Sequence, residues 1–275
     1  MQKTIEHTFE TVDTKTAEAE FYLRQMVHPP GEVSSFNYLF SAFVSATRTT
    51  TLALQQFKRL PGFEAWYGPH RERLKRDPLA KFFLDTRNDH VHGGPYPVTA
   101  SSHHQGETLY YFDRGANAPK RRDNDVVSMC RDFFVLLLEV AYDCYVKLGV
   151  HIDPQQYYTR EHFDTLGRSI DDAEIEVWGW ICTSLIEEGY EEDDRWHELR
   201  GQVGECLINH LFYAYLGKPT PQPALPDHIA DFALTPEDRG WTHVPAGFGS
   251  IEDYEKHTAQ RKVPCPIEEP GDPLT

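Results

Sequence analysis

Arg87, Asn88 and His92 fall within six residues of one another, in the segment Phe82-Phe-Leu-Asp-Thr-Arg-Asn-Asp-His-Val-His-Gly-Gly94. An imidazole that titrates near neutrality can take the proton of an RNA 2′-hydroxyl or protonate a leaving 5′-oxygen. A guanidinium can grip the phosphate as negative charge builds. These residue types therefore suit cleavage of RNA through its own 2′-oxygen, a reaction that needs neither metal nor cofactor. On a helix, Asn88 and His92 lie about 40° apart and Arg87 and His92 about 140° apart. Asn88 can touch His92 directly, whereas Arg87 and His92 of one chain converge poorly. Two copies related by a two-fold axis would bring them together.

The elements that must position these groups are mostly helical. Asp77-Pro78 reads as a cap followed by proline at the first helical position, and Leu79, Phe82, Phe83, Thr86 and His90 share a face until Gly93-Gly94. Residues 34–58 carry one apolar stripe (Phe36, Leu39, Phe40, Phe43, Ala46, Thr47, Thr50, Leu54, Phe57) behind a Ser34/Ser35 cap. A shorter pattern over 14–27 ends at Pro29-Pro30-Gly31, and a long apolar helix over 123–149 is capped by Asp123-Asn124-Asp125. Between 96 and 113, Tyr96, Val98, Thr99 and the run Thr108–Phe112 flank a polar Ser-Ser-His-His-Gln-Gly turn, which predicts a β-hairpin. Strands do not alternate with helices, so parallel α/β folds are disfavoured. The expected fold is all-α, a helical bundle with one small hairpin.

An arginine, a polar residue and a histidine at this spacing, closing one long helix between two others, resemble the motif and context of HEPN domains. That helical family processes nucleic acids and includes toxin and defence ribonucleases. The stretch from Phe36 through Trp66-Tyr67 and Asp77-Pro78 to His92 also resembles a group of uncharacterised bacterial HEPN-like proteins. The resemblance covers roughly residues 14–149. It implies a HEPN-like bundle, acid/base work for His92, phosphate binding for Arg87 and an orienting role for Asn88. It also implies a metal-independent endoribonuclease acting on RNA as a homodimer, in some relatives restrained by an antitoxin or another protein partner. The competing class is a non-catalytic HEPN-like dimer that binds RNA, a nucleotide or a protein without cutting.

The formal charge of −16 is unevenly distributed: residues 1–149 hold 18 basic and 18 acidic groups, and residues 150–275 hold 9 and 25. An acidic chain can thus carry a local positive surface. The basic residues of 58–92 include Arg71, Arg73, Lys75, Arg76 and Lys81, candidates for holding a nucleic-acid backbone; the bland alternative is a solvated helix face. Trp66, Tyr67, Tyr110 and Tyr111 could stack on unpaired bases or lie in the core. His90, His92, His103 and His104 match no zinc spacing, and no metal site is expected. Lys120-Arg121-Arg122 could hold phosphate, but reads better as a solvated turn before an acidic cap.

Beyond residue 150 the sequence predicts an acidic accessory segment (150–217) with helices near 171–188 and 194–217, joined by the acidic run Glu187–Asp194. Residues 218–275 hold ten of the 19 prolines and read as an irregular tail, which either lies on the bundle as a nucleic-acid mimic or leaves its acidic groups to solvate a remote surface. No apolar run reaches the roughly 18 residues of a membrane span, and Met1–His7 lack a signal-like apolar stretch, so a cytoplasmic address with no membrane partner is expected. Five cysteines (130, 144, 182, 206 and 265) without a CxxC pair fit reduced thiols.

Overall fold

A computed structural model describes residues 8–27, 32–91, 94–104, 107–113, 115–119 and 125–244, together with 250, 252 and 256. The chain is mostly helical with one two-stranded antiparallel sheet. Its first part runs α1 (Glu10–Val27), α2 (Val33–Leu54), a 3-10 turn (Gln55–Arg59), α3 (Phe63–Arg76), α4 (Pro78–Val91), the hairpin β1 (Val98–His104) and β2 (Glu107–Phe112), and α5 (Val126–Ile152). Short helices follow: α6 (Pro154–Tyr157), α7 (Arg160–Thr165), α8 (Ile170–Trp178), α9 (Thr183–Glu187), α10 (Glu192–Gly201), α11 (Asn209–Leu216) and α12 (Asp227–Ala230).

Two apolar cores organise these elements. The larger joins α1–α5 to the hairpin, and aromatic side chains lock its layers together. Phe83 of α4 stacks on Phe133 of α5 with ring centroids 4.5 Å apart. Phe36 of α2 stacks on Tyr110 of β2 at 3.8 Å, and Asn37 Nδ2 donates to the Val98 carbonyl at 2.8 Å, so the hairpin is fastened to α2. Cys206, Ile208, Leu211 and Phe212 belong to this core as well, and α11 therefore packs with the bundle rather than with the accessory segment. The smaller core gathers Tyr157, Tyr158, Phe163, Ile170, Ala173, Trp196 and Leu199.

Local signals explain where several helices begin. Asp77 Oδ1 accepts from the amides of Leu79 (2.8 Å) and Ala80 (2.9 Å), as a cap before Pro78 should. Asp125 caps α5 by accepting from Ser128 N at 2.9 Å. The Ser34/Ser35 cap is corrected: α2 begins one residue earlier behind Glu32, and Ser34 Oγ donates to the Glu32 carboxylate. The reading of 171–188 as one helix is also corrected. Gly179 adopts φ +87°, and the Cys182 amide donates to the buried Glu174 carboxylate at 2.8 Å, which ends α8. The 194–217 helix is broken likewise, because Asp13 of α1 accepts from the Leu207 amide (3.0 Å) and the Cys206 thiol (3.4 Å). The last residues of the acidic run start α10 instead of forming only a linker, with Glu191 and Asp194 making a reciprocal cap.

Candidate functional site

The cap at Asp77 sets the rotation of α4, and burial of Leu79, Ala80, Phe82 and Phe83 then decides what faces outward. Lys81, Leu84, Asp85 and Asn88 are exposed, while Thr86 and Arg87 are half-buried against α2. Arg87 lies in a narrow cleft with Phe40, Ser41, Val44 and Ser45 of α2 and with Tyr96 and Pro97. Its Nη1 donates to Asn88 Oδ1 at 3.4 Å, a long bond, and among the described residues no carboxylate pairs with it. The Gly94 amide donates to the Asp89 carbonyl at 2.8 Å, bracketing the end of the motif. His92 itself, and the side chains of His90 and His104, lie outside the described residues, as do Lys120, Arg121 and Arg122.

Val44 also borders a second cavity, of about 360 Å³, between α2, α3, α4 and α5. Val44, Leu74, Ala80, Phe83, Phe133 and Leu137 form its apolar floor, and Arg48, Arg71, Lys75 and Lys81 stand at its rim with Asp85. Three of the five predicted basic residues are thus brought to one cavity next to Arg87. The other two are not: Arg73 Nη2 pairs with Glu139 of α5 at 2.6 Å, and Arg76 projects to solvent. Arg48 was not anticipated, since it occurs alone in an otherwise uncharged stretch of α2. The signal was its place in the stripe Tyr38, Ser41, Ser45, Arg48 and Leu52, spaced three and four residues apart on the face opposite the aromatic core.

The rim cations have acidic neighbours. Lys81 meets Asp85 at 2.5 Å, Lys75 meets Glu72 at 3.0 Å, and Arg71 lies 3.8 Å from Glu72 and 4.0 Å from Glu64. Lys75 above all, with Arg71 and Arg76 adding to it, holds the Glu72 carboxyl below the usual carboxylate range. Exposed pairs of this kind add little to stability, so they hold these cations only weakly. Arg48 differs. Its Nη1 donates to the Thr51 hydroxyl at 3.2 Å, and among the described residues it has no acidic partner.

Position of α3 depends on α5. Trp66 Nε1 (3.0 Å), His70 Nε2 (2.7 Å) and Lys147 Nζ (3.0 Å) all meet Asp143 Oδ2. Burial pushes the Asp143 carboxyl up, but the hydrogen bonds from His70 and Lys147 outweigh it and hold the group below its ordinary value. Of the aromatic candidates, Trp66 and Tyr110 are core residues; Tyr67 lines the cavity and Tyr111 is half-buried, its hydroxyl 3.0 Å from Ser102. His103 is engaged with the Thr108 hydroxyl at 3.1 Å, and among the described residues there is no group of three or more side chains suited to a metal.

The tail is placed elsewhere. Between residues 219 and 243 its polar contacts reach α5, α10 and α11: the Tyr142 hydroxyl to the Pro219 carbonyl, the Thr220 amide to Asn209, Gln222 to Arg200, and His228 to Asp194. The described tail thus covers the C-terminal layer and gives no support to its lying on the α2–α4 face as a nucleic-acid mimic.

Residues 8–108 are similar to the bacteriophage lambda protein ea47 family, whose model they match. The match takes in α1 to α4 and the start of β2, and with them Arg87, Asn88, His92 and every rim cation named above. No curated protein and no solved structure matches the chain.

Proposed function

We propose that this chain is a HEPN-like, metal-independent endoribonuclease of the toxin or defence type, acting as a homodimer in the cytoplasm. The observation that carries the reading is Arg87, a half-buried guanidinium on α4 with Asn88 as its polar partner and no carboxylate beside it among the described residues. A cation left free in a cleft is suited to a phosphate oxygen whose charge rises during reaction. In the reaction, the RNA 2′-oxygen attacks the adjacent phosphorus and the 5′-oxygen leaves, giving a cyclic phosphate and a free 5′-hydroxyl. His92 accepts the first proton or supplies the second, and Arg87 neutralises the phosphorane. Arg48, Arg71, Lys75 and Lys81 hold the flanking backbone of single-stranded or loop RNA.

Incubation of the purified chain with RNA in EDTA tests this directly. Cleavage should proceed without metal, fall by about 100-fold or more in Arg87→Ala, and vanish in His92→Ala. Intact RNA after exposure to the wild-type chain defeats the proposal, and undiminished cleavage by His92→Ala removes His92 from the chemistry.

A second reading, a dimeric module that binds RNA, a nucleotide or a protein partner without cutting, draws on the same face. Tyr38, Leu52, Leu84 and Tyr96 are all exposed there, and apolar side chains gathered around a polar stripe suit a surface covered by another chain. Binding without cleavage in the same assay assigns the chain to this class.

A further inference from the structure

The accessory layer holds two buried arginines, and they are treated differently. Arg195 is saturated: its Nε and Nη2 donate to Glu174 at 2.9 and 2.8 Å, and Nη2 also meets Asp171 at 2.6 Å. Arg200, 9% exposed, has no such partner. Its Nε donates to the Gln155 carbonyl at 3.3 Å and its Nη2 to the Gln222 side-chain oxygen at 2.8 Å, both neutral acceptors. Among the described residues no carboxylate lies within ion-pair distance of it. Asp153, a buried acid that acts on it from a distance, is engaged with the Tyr145 hydroxyl and the Gln155 amide. Burial accordingly pushes the Arg200 guanidinium below its ordinary value, with only partial relief from the more distant Asp153, Tyr145 and Glu161. A buried cation without a counter-charge is costly, and an anion at that point recovers the cost.

Arg200 lines a cavity of about 590 Å³ that is partly open to solvent and bordered on its outer side by the Pro-rich tail. Tail residues Leu225, Ile229, Leu234 and Trp241 make its apolar wall, and the Arg239 guanidinium lies 5.5 Å from the Trp241 ring centre. His197 and Arg239 add basic groups to the lining, whereas Glu205, exposed, adds one acid. The volume suits a small organic molecule, and the combination of one desolvated planar cation with an apolar wall defines its chemistry.

We infer that this cavity binds a small organic monocarboxylate, its carboxylate on Arg200 and its apolar or aromatic body against the tail. A dianionic phosphate monoester fits less well, because the buried guanidinium neutralises one charge, while the second meets Glu205 together with Arg239, an exposed cation that solvent screens. Gln222 belongs to the tail and touches the same guanidinium, so the ligand and the tail hold each other in place.

Titration of the full chain with 2-naphthoate, by calorimetry and by quenching of tryptophan fluorescence, tests the inference. Saturable 1:1 binding is expected, at least tenfold weaker for the neutral isostere 2-naphthamide and weaker also for 2-naphthyl phosphate. Arg200→Gln should lose at least tenfold in affinity. Leu234→Asp, in an exposed tail residue whose replacement spares both cores, should lose as much while keeping the wild-type circular dichroism spectrum. Absence of naphthoate binding, equal affinity for the amide, or unchanged affinity in Leu234→Asp overturns the site; tighter binding of the phosphate overturns the choice of carboxylate. None of these readouts involves RNA, so their failure is distinct from failure of the ribonuclease reading.

Discussion

The amide of Gly94 donates to the carbonyl of Asp89 at 2.8 Å, and a Cβ placed on Gly94 would stand 2.8 Å from that same oxygen. The residue that closes α4 must therefore be glycine, because the obstructing atom is backbone and has no rotamer to yield. Gly94→Ala should cost about 1–3 kcal/mol, the usual scale of overpacking. It should also lower RNA cleavage by more than the lost stability explains, since Asp89 and Gly94 bracket His92. Urea denaturation beside a cleavage assay under fully folded conditions separates the two effects.

Arg48 is the rim cation without an acidic partner among the described residues, so its removal should change RNA affinity more than removal of Lys81, which must leave Asp85 to bind. Arg48→Ala is expected to weaken RNA binding several-fold and to flatten the salt dependence by about one phosphate contact. Filter binding at several salt concentrations measures both. Equal effects for Arg48→Ala and Lys81→Ala would show that ion pairing does not grade these residues.

Asp143 ties Trp66 and His70 of α3 to α5, so its loss should loosen the helix that carries Arg71 and Lys75. Asp143→Asn should destabilise the chain by about 1.5–3 kcal/mol at pH 7, the scale of hydrogen bonds to a charged group. The folded-state value of this carboxyl is depressed, so its contribution is present above the unfolded value and disappears as pH falls through the folded one. The stability gap between wild type and variant should thus narrow on acidification below about pH 4.

Asp13 behaves in the opposite sense. Burial raises its carboxyl to about 7 despite the Leu207 amide and Cys206 thiol that favour the charged form, with Asp153 and Glu10 adding repulsion. Folding then favours the protonated group, so stability is lost as pH rises from about 4 to 7, by about 4 kcal/mol if the full shift is expressed. Asp13→Asn should match the wild type near pH 4 and exceed it near pH 8. Chemical denaturation at both values decides, and a parallel pH dependence in the variant would show that Asp13 does not titrate across folding.

Glu174 is fully buried and receives Arg195 on both oxygens as well as the Cys182 amide. Glu174→Gln leaves a buried guanidinium with Asp171 as its remaining carboxylate, and it should destabilise the chain by about 3 kcal/mol, as broken buried pairs do. Hydrogen exchange should rise first in α8 and α10. Undisturbed exchange there would show that the smaller core does not depend on this pair.

Features set by neighbours in the chain were legible in the sequence. Asp77-Pro78 and Asp125 are local caps, the apolar stripes of α2 and α5 repeat within a few turns, and the hairpin follows from two β-prone runs around a polar turn. Signals of that kind act over three or four residues, and so they survive in any tertiary setting. Helix α3 was not legible, because Gly68 and Pro69 interrupt its pattern; what holds it is Asp143, 77 residues from Trp66. The breaks after α8 and α10 likewise come from carboxylates, Glu174 and Asp13, that collect backbone amides once buried. Arg87 was visible as a motif, but its lack of an acidic partner among the described residues was not, nor was the pairing of Arg73 with Glu139. Helices α1, α2, α4 and α5 and the hairpin were thus decided by the sequence alone, whereas α3 and the division of 171–217 were not. Which cations are neutralised and which are left to bind an anion was decided only by tertiary structure, because burial and counter-charge depend on residues far apart in the chain.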